Sequence, residues 1–291
     1  MSAALDPRVT PARRDLAAVR LRGLVEAEQF VDGVRMQVAA AHAPVRREPR
    51  FDAPLDTEAL RGEIVIAYER SPEGWAWVEC ERDGYVGYVP TEALRETIIA
   101  PTHRVRVLRS HLYPGPSIKL PPIEALPLGA LVTVAREQGD FRVLDDGAFI
   151  WARHLQPLSV LASDFVAEAE KLIGVAYLWG GRTSEGLDCS GLVQTAMEMA
   201  GLEAPRDSDM QERELGQPLN LAPDLSGLRR GDLIFWKGHV GLMRDEAELL
   251  HANGYHMQTM SEPLAEAVRR INGAGGGDIT SARRLGELGR G

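Results

Sequence analysis

The chain has 291 residues, 44% hydrophobic and 26% charged, which suits two or three compact globular domains. A formal net charge of −9 argues against nucleic acid or an anionic membrane as a partner, and there is no run of about 18 apolar residues to span a bilayer. The first ten residues hold no apolar stretch of secretory type, and the two cysteines, Cys80 and Cys189, stand far apart; both features favour a cytoplasmic setting.

Residues 1–18 read as a polar, proline-containing arm, and a first β module is expected over 19–98. Within it, Glu63-Ile64-Val65-Ile66-Ala67-Tyr68 has the β-branched and aromatic character of a strand. Ser71-Pro72-Glu73-Gly74 is turn chemistry, and Asp83-Gly84 marks a hairpin before Tyr85-Val86-Gly87-Tyr88. A second module, 103–158, repeats the plan. Leu126-Pro127-Leu128-Gly129 stands where Leu60-Arg61-Gly62-Glu63 stood, and Asp146-Gly147-Ala148-Phe149 where Asp83-Gly84-Tyr85-Val86 stood. Each module is expected to form a small, partly open barrel.

The character changes from Asp164 onward. Phe165, Val166, Ala169, Leu172 and Ile173 mark an amphipathic helix, with Ser163 as its N-cap and Gly174 at its end. A second helix opens at Asp188-Cys189-Ser190-Gly191, carries Leu192, Val193, Ala196 and Met197 on one side, and stops near Gly201. Residues 203–228 read as a polar, proline-containing loop. Strands are expected over 232–236, 238–243, 248–253 and 279–285, the last preceded by a glycine-rich loop at 273–277. Helices followed by an antiparallel sheet make 160–291 an α+β domain.

Cys189 on the first turn of a helix feels the positive end of the helix dipole, which is expected to lower its pKa and favour a nucleophilic thiolate. A nucleophile needs a base, and the base needs a group to orient it. Of the seven histidines, His239 and His251 fall on neighbouring strands around the polar turn Arg244-Asp245-Glu246-Ala247. A hairpin centred on Asp245 places them directly opposite each other on one face. His239 is then the candidate base and His251 its orienting partner, with His256 as rival. Trp179 and Trp236 are read as core aromatics. Nothing in this chemistry calls for a metal or organic cofactor, and no Cys/His spacing of zinc type is present.

Four segments carry a resemblance: Tyr177-Leu178-Trp179-Gly180-Gly181, Asp188-Cys189-Ser190-Gly191-Leu192, Arg230-Gly231-Asp232-Leu233-Ile234-Phe235-Trp236 and Gly238-His239-Val240-Gly241. Together, across about 160–291, they resemble the NlpC-type papain-like cell-wall peptidases. The two upstream modules are similar to bacterial SH3-type domains, and the whole arrangement resembles the γ-D-glutamyl-L-diamino acid endopeptidases. The resemblance implies a papain-like domain behind two small SH3-like barrels. It also implies a murein stem peptide with a free L-Ala amino terminus as substrate, cleaved between γ-D-Glu and the diamino acid during cell-wall peptide recycling. It gives Cys189, His239 and His251 the catalytic roles and makes Tyr177, Asp188 and Ser208 substrate contacts. In such proteins a Tyr and an acid of the first SH3-type domain lie near the amine; Tyr85 and Glu63 are the candidates here. Asp188 has a second reading as the N-cap of its helix, and the two are compatible.

Two other functions fit the same residues. One is an amidase or acyltransferase using the same Cys–His pair on another substrate. The other is a peptide-binding protein whose catalytic domain is inactive, against which the joint presence of Cys189, His239 and His251 weighs.

Overall fold

The computed structural model describes residues 5–286. The chain folds as two compact units, Met1–Val160 and Leu161–Gly291. Residues 1–4 of the expected arm and 287–291 of the last domain lie outside the described residues.

The first unit is built from β-strands. Its larger sheet runs in the order Leu55–Leu60, His42–Arg46, Val86–Pro90, Trp75–Cys80, Ile64–Arg70, Val34–Val38, Leu94–Arg95, all antiparallel. Alternation sends Val65, Ala67, Ala76, Val78 and Cys80 into one core with Met36, Val38, Val45 and Val89. Trp77 and Tyr68 point to the other face, where Leu16, Ala18 and Leu21 cover them. The segment expected as a polar arm is therefore part of the fold. Leu16–Ala18 is a buried strand paired in parallel with Gln29–Val31, and Trp75–Cys80 is buried on both faces as a result.

Residues from His103 onward form a three-stranded and a five-stranded sheet around Val105, Leu112, Leu126, Val132, Leu144, Ile150 and Leu155. The internal repeat is visible in backbone detail. Gly62 and Gly129 both take positive φ (83° and 87°), as do Gly84 and Gly147 (74° and 85°). The preceding aspartates close the same turn: Asp83 Oδ1 accepts from the Tyr85 N–H at 3.1 Å, and Asp146 Oδ1 accepts from the Ala148 N–H at 3.0 Å. Cys80 lies in the first core and Cys189 in the second unit, and no disulfide joins them.

The second unit holds four helices, α1 (Phe165–Glu170), α2 (Cys189–Met199), α3 (Ser208–Glu214) and α4 (Leu264–Gly273), among its described residues. Its main sheet is antiparallel, in the order Gln217–Leu219, Ser281–Arg284, Leu233–Trp236, His239–Met243, Glu248–Asn253, Gln258–Pro263. α2 packs on α1 and on the two central strands His239–Met243 and Glu248–Asn253. Leu264 and Ala267 of α4 bury against Trp236, Met243 and Leu249.

Several local expectations change. Asp164 caps α1, accepting from the Val166 and Ala167 N–H groups at 2.9 and 3.3 Å, so Ser163 lies outside the helix. The stretch read as a loop contains α3 and the edge strand Gln217–Leu219. The strand Gln258–Pro263 and α4 fill a region with no assigned structure.

Candidate active site

Cys189 begins α2, and the loop before it is laced to the helix start by backbone contacts. The Leu178 N–H donates to Leu187 O at 3.0 Å and the Asp188 N–H to Gly181 O at 3.1 Å. The approach is so close that a Cβ on Gly191 would stand 2.3 Å from Gly181 O, and one on Gly181 would stand 2.4 Å from Gly186 O. The glycines of both motifs are thus required by backbone-on-backbone packing. This loop holds Trp179 67% exposed, so of the two tryptophans read as core only Trp236, 1% exposed, is buried.

Asp188 is the N-cap of α2, and both of its carboxylate oxygens are engaged. Its Oδ1 accepts from the Gly191 N–H at 2.7 Å, Arg206 Nη1 at 2.9 Å and Ser190 Oγ at 3.3 Å. Its Oδ2 accepts from Arg206 Nη2 at 2.6 Å and the Gly180 N–H at 2.9 Å. A carboxylate offers about four acceptor sites. Five donors saturate it, and the buried Arg206 guanidinium answers its charge. Asp188 caps α2 and binds the Tyr177–Gly181 loop, α2 and Arg206 into one block.

The Cys189 side chain is buried, and its thiol lies within reach of the Val240 and Ser190 backbone N–H groups. Burial and the nearby Asp188 carboxylate push it up to about 12, more than those two N–H groups and Arg206 pull it down. The helix-start position was expected to lower this pKa; desolvation outweighs it. Tyr177 is half-buried, and burial, together with Cys189 and Asp188, raises its phenol well above the ordinary range.

Val240 follows His239 directly. His239 opens its strand after a two-residue turn, Lys237-Gly238, in which Gly238 takes φ 74°. His239 Nε2 and His251 Nδ1 are 2.9 Å apart. The register pairs Leu242 with Leu250 and Met243 with Leu249, so continuing it brings Gly241, not His239, opposite His251. The two imidazoles meet diagonally on one face, because a register offset of two residues preserves the face. The bare Gly241 leaves room for this, since a Cβ there would stand 3.2 Å from the Cβ of His251.

Behind His251 stands a residue the sequence did not single out. His251 Nε2 is 2.8 Å from Glu262 Oε1, on the strand Gln258–Pro263, and Arg270 of α4 donates to the same oxygen. His251 is fully buried and Glu262 nearly so. Burial drives His239 down to about 3, helped by His251 and Arg270 and opposed by Glu262. Burial also lowers His251, against the pull of Glu262. Burial alone would raise Glu262, but hydrogen bonds from His251 and Arg270 reverse that and hold it at about 2. Burial thus favours neutral imidazoles at His239 and His251, and the bonds to Glu262 favour its carboxylate form. His256 takes no part in this chain; its backbone N–H and Nδ1 both engage Asn253 Oδ1, at 2.8 and 3.1 Å.

The remaining candidates divide. Ser208 is half-buried at the first turn of α3, a helix that packs against α2 and the His239 strand. Tyr85 is 4% exposed and belongs to the first core. Glu63 accepts from the Leu60 N–H at 2.9 Å and stands 3.8 Å from Arg82, so its carboxylate staples a turn.

The NlpC/P60 family model matches residues 174–270, and the bacterial dipeptidyl-peptidase SH3 domain model matches 45–94. A γ-D-glutamyl-L-lysine dipeptidyl-peptidase of Bacillus cereus is 27% identical over 232 residues, covering 68% of this chain and 67% of the relative. Its namesake from Bacillus subtilis is 28% identical over 251 residues, covering 75% of this chain and 82% of the relative. The crystal structure of an NlpC/P60 family protein from Bacillus cereus matches with a TM-score of 0.70 at 20% identity, covering 86% of this chain and 99% of that one. The fold is the papain-like one of NlpC/P60 proteins.

Proposed function

This chain carries an NlpC/P60 hydrolase domain and a bacterial SH3 domain, and on that ground we propose that it is a cysteine peptidase of murein peptides. Its substrate is a stem peptide with a free N-terminal L-Ala, cut at the bond between γ-D-Glu and the diamino acid. The carrying observation is the His239–His251–Glu262 chain, whose first member adjoins the Val240 N–H at the Cys189 thiol. The naming of two relatives as γ-D-glutamyl-L-lysine dipeptidyl-peptidases supports the choice of bond.

With thiol and imidazoles neutral at rest, His239 acts as a general base. It takes the Cys189 proton as sulfur attacks the γ-amide carbonyl carbon. Backbone N–H groups at the start of α2, that of Cys189 included, hold the oxyanion. The C–N bond then breaks, His239 protonates the leaving amine, and a thioester to γ-D-Glu remains. Water, deprotonated by His239, hydrolyses the thioester and returns the thiol. Tyr177 and Ser208 are proposed as substrate contacts. The proposal extends to an α+β catalytic domain over 160–291, SH3-like modules over 19–98 and 103–158, and a role in cytoplasmic recycling of released peptides.

The test is incubation of pure protein with L-Ala-γ-D-Glu-meso-diaminopimelate, free and N-acetylated, with products identified by mass. Cleavage of the free peptide alone is expected. Equal cleavage of both would remove the free-amine requirement. No cleavage of either, with hydrolysis of a thioester or amide instead, would favour an amidase or acyltransferase.

A further inference from the structure

A neutral imidazole carries its proton on one of two nitrogens, and only one combination across His239 and His251 makes His239 a base. Three observations on one path decide the combination. Glu262 is ionised, so both its oxygens only accept, and His251 Nε2, 2.8 Å away, must carry the proton. His251 is buried and neutral, so its Nδ1 is then a bare acceptor. His239 Nε2, 2.9 Å from that acceptor, must therefore donate. With one proton on the ring, His239 Nδ1 is left unprotonated, and it is the only ring nitrogen not already engaged by His251.

We propose that Glu262 is the positioning residue that sets the tautomers of both histidines and so leaves a free lone pair on His239 Nδ1 for the Cys189 thiol. This rests on Cys189 and His239 being the reacting pair. Glu262 touches neither substrate nor sulfur; it acts through two rings. Arg270 fixes the carboxylate by donating to the oxygen that also accepts from His251, and Arg270 is itself held over the Tyr255 ring at 4.6 Å. The carboxylate also offsets part of the charge that His239 gains when it takes the thiol proton. Besides Glu262, Arg270 acts on both rings and His256 on His251, while Asp188 and Arg206 act on the Cys189 thiol.

The directionality gives a sharp test. In Glu262→Gln the carboxamide oxygen can stand in for Oε1 and accept from both Arg270 and His251 Nε2, so the tautomers are kept. In Glu262→Met no acceptor faces His251 Nε2, and both rings lose their fixed tautomer. Nitrogen-15 NMR of histidine-labelled protein is expected to report wild-type tautomers in folded E262Q and mixed tautomers in folded E262M. Cleavage of L-Ala-γ-D-Glu-meso-diaminopimelate by E262M should lose roughly 100-fold in kcat with little change in KM. E262Q should recover about tenfold or more of that loss. Alkylation of Cys189 should slow in E262M and recover in E262Q.

Wild-type tautomers in folded E262M would overturn the proposal. So would mixed tautomers with unchanged kcat and alkylation, or an E262Q variant no better than E262M. If the wild-type protein leaves the peptide intact, the peptidase assignment fails, and the tautomer and alkylation measurements decide the role of Glu262 by themselves.

Discussion

The Arg13 cluster of the first unit and the Asp188–Arg206 and His251–Glu262 pairs of the second hold charge in opposite ways. In the first, a guanidinium lies over an aromatic sheet face. Arg13 stacks over Trp77 at 4.5 Å and pairs with Asp15 and Glu69, each at 2.7 Å, with both carboxylates largely in water. In the second unit, Asp188, Arg206, His251 and Glu262 are all buried, and each has its partners in place. Burying charge is costly unless it is paired and hydrogen-bonded, and breaking such a pair costs far more than breaking one in water.

The sharpest break of this contrast is at sulfur. Cys189→Ala should abolish peptide cleavage, by at least about 1,000-fold in kcat, while the denaturation midpoint moves little; residual activity near wild type would remove the second unit's claim to chemistry. Next in size, Arg206→Met leaves Asp188 charged and unanswered. It should cost roughly 3–5 kcal/mol in denaturant unfolding. Asp188→Asn together with Arg206→Met should cost less than R206M alone, because the orphaned charge goes too.

The pH dependence of stability separates the units further. His239, held down to about 3 against an ordinary 6.5, takes up its proton on unfolding, so stability is lost as pH falls from about 6.5 to 3. Glu262, held at about 2 against 4.5, adds a loss with the same sign as pH falls through that lower window. Cys189 works at the other end. Its thiol, pushed up to about 12, keeps its proton after an unfolded thiol releases it near 9, so stability is lost as pH climbs between them. Each is worth a few kcal/mol at most. Urea midpoints across pH should show a shallower acid limb in His239→Gln and a shallower alkaline limb in Cys189→Ala. The smallest effect belongs to the first unit. Arg13→Ala removes one stacked, half-solvated cation and should cost about 1 kcal/mol; a loss as large as that of R206M would erase the distinction drawn here.

What could be read in the chain order follows the same division. Helix α2 and the strands Leu233–Trp236, His239–Met243 and Glu248–Asn253 were legible because their buried positions are apolar and periodic. α3 was not, since Met210 and Gln211 are its only buried residues. The strand Gln258–Pro263 was not, since the two residues it buries, Thr259 and Glu262, are polar. Apolar periodicity finds an element whose core face is greasy and passes over one whose core face is polar.

The sequence alone determined that a cysteine starts a helix, that two histidines share a hairpin face, and that a β repeat precedes them. These are local matters of spacing, turn chemistry and side-chain period. The tertiary structure decided the rest. It saturated Asp188 with Arg206, turned Tyr85 inward, set the histidines diagonally over Gly241, raised the thiol that a helix start alone would have lowered, and brought Glu262 behind His251. Each of these depends on which groups lose water and which distant partner reaches them, and desolvation and pairing are properties of the packed chain.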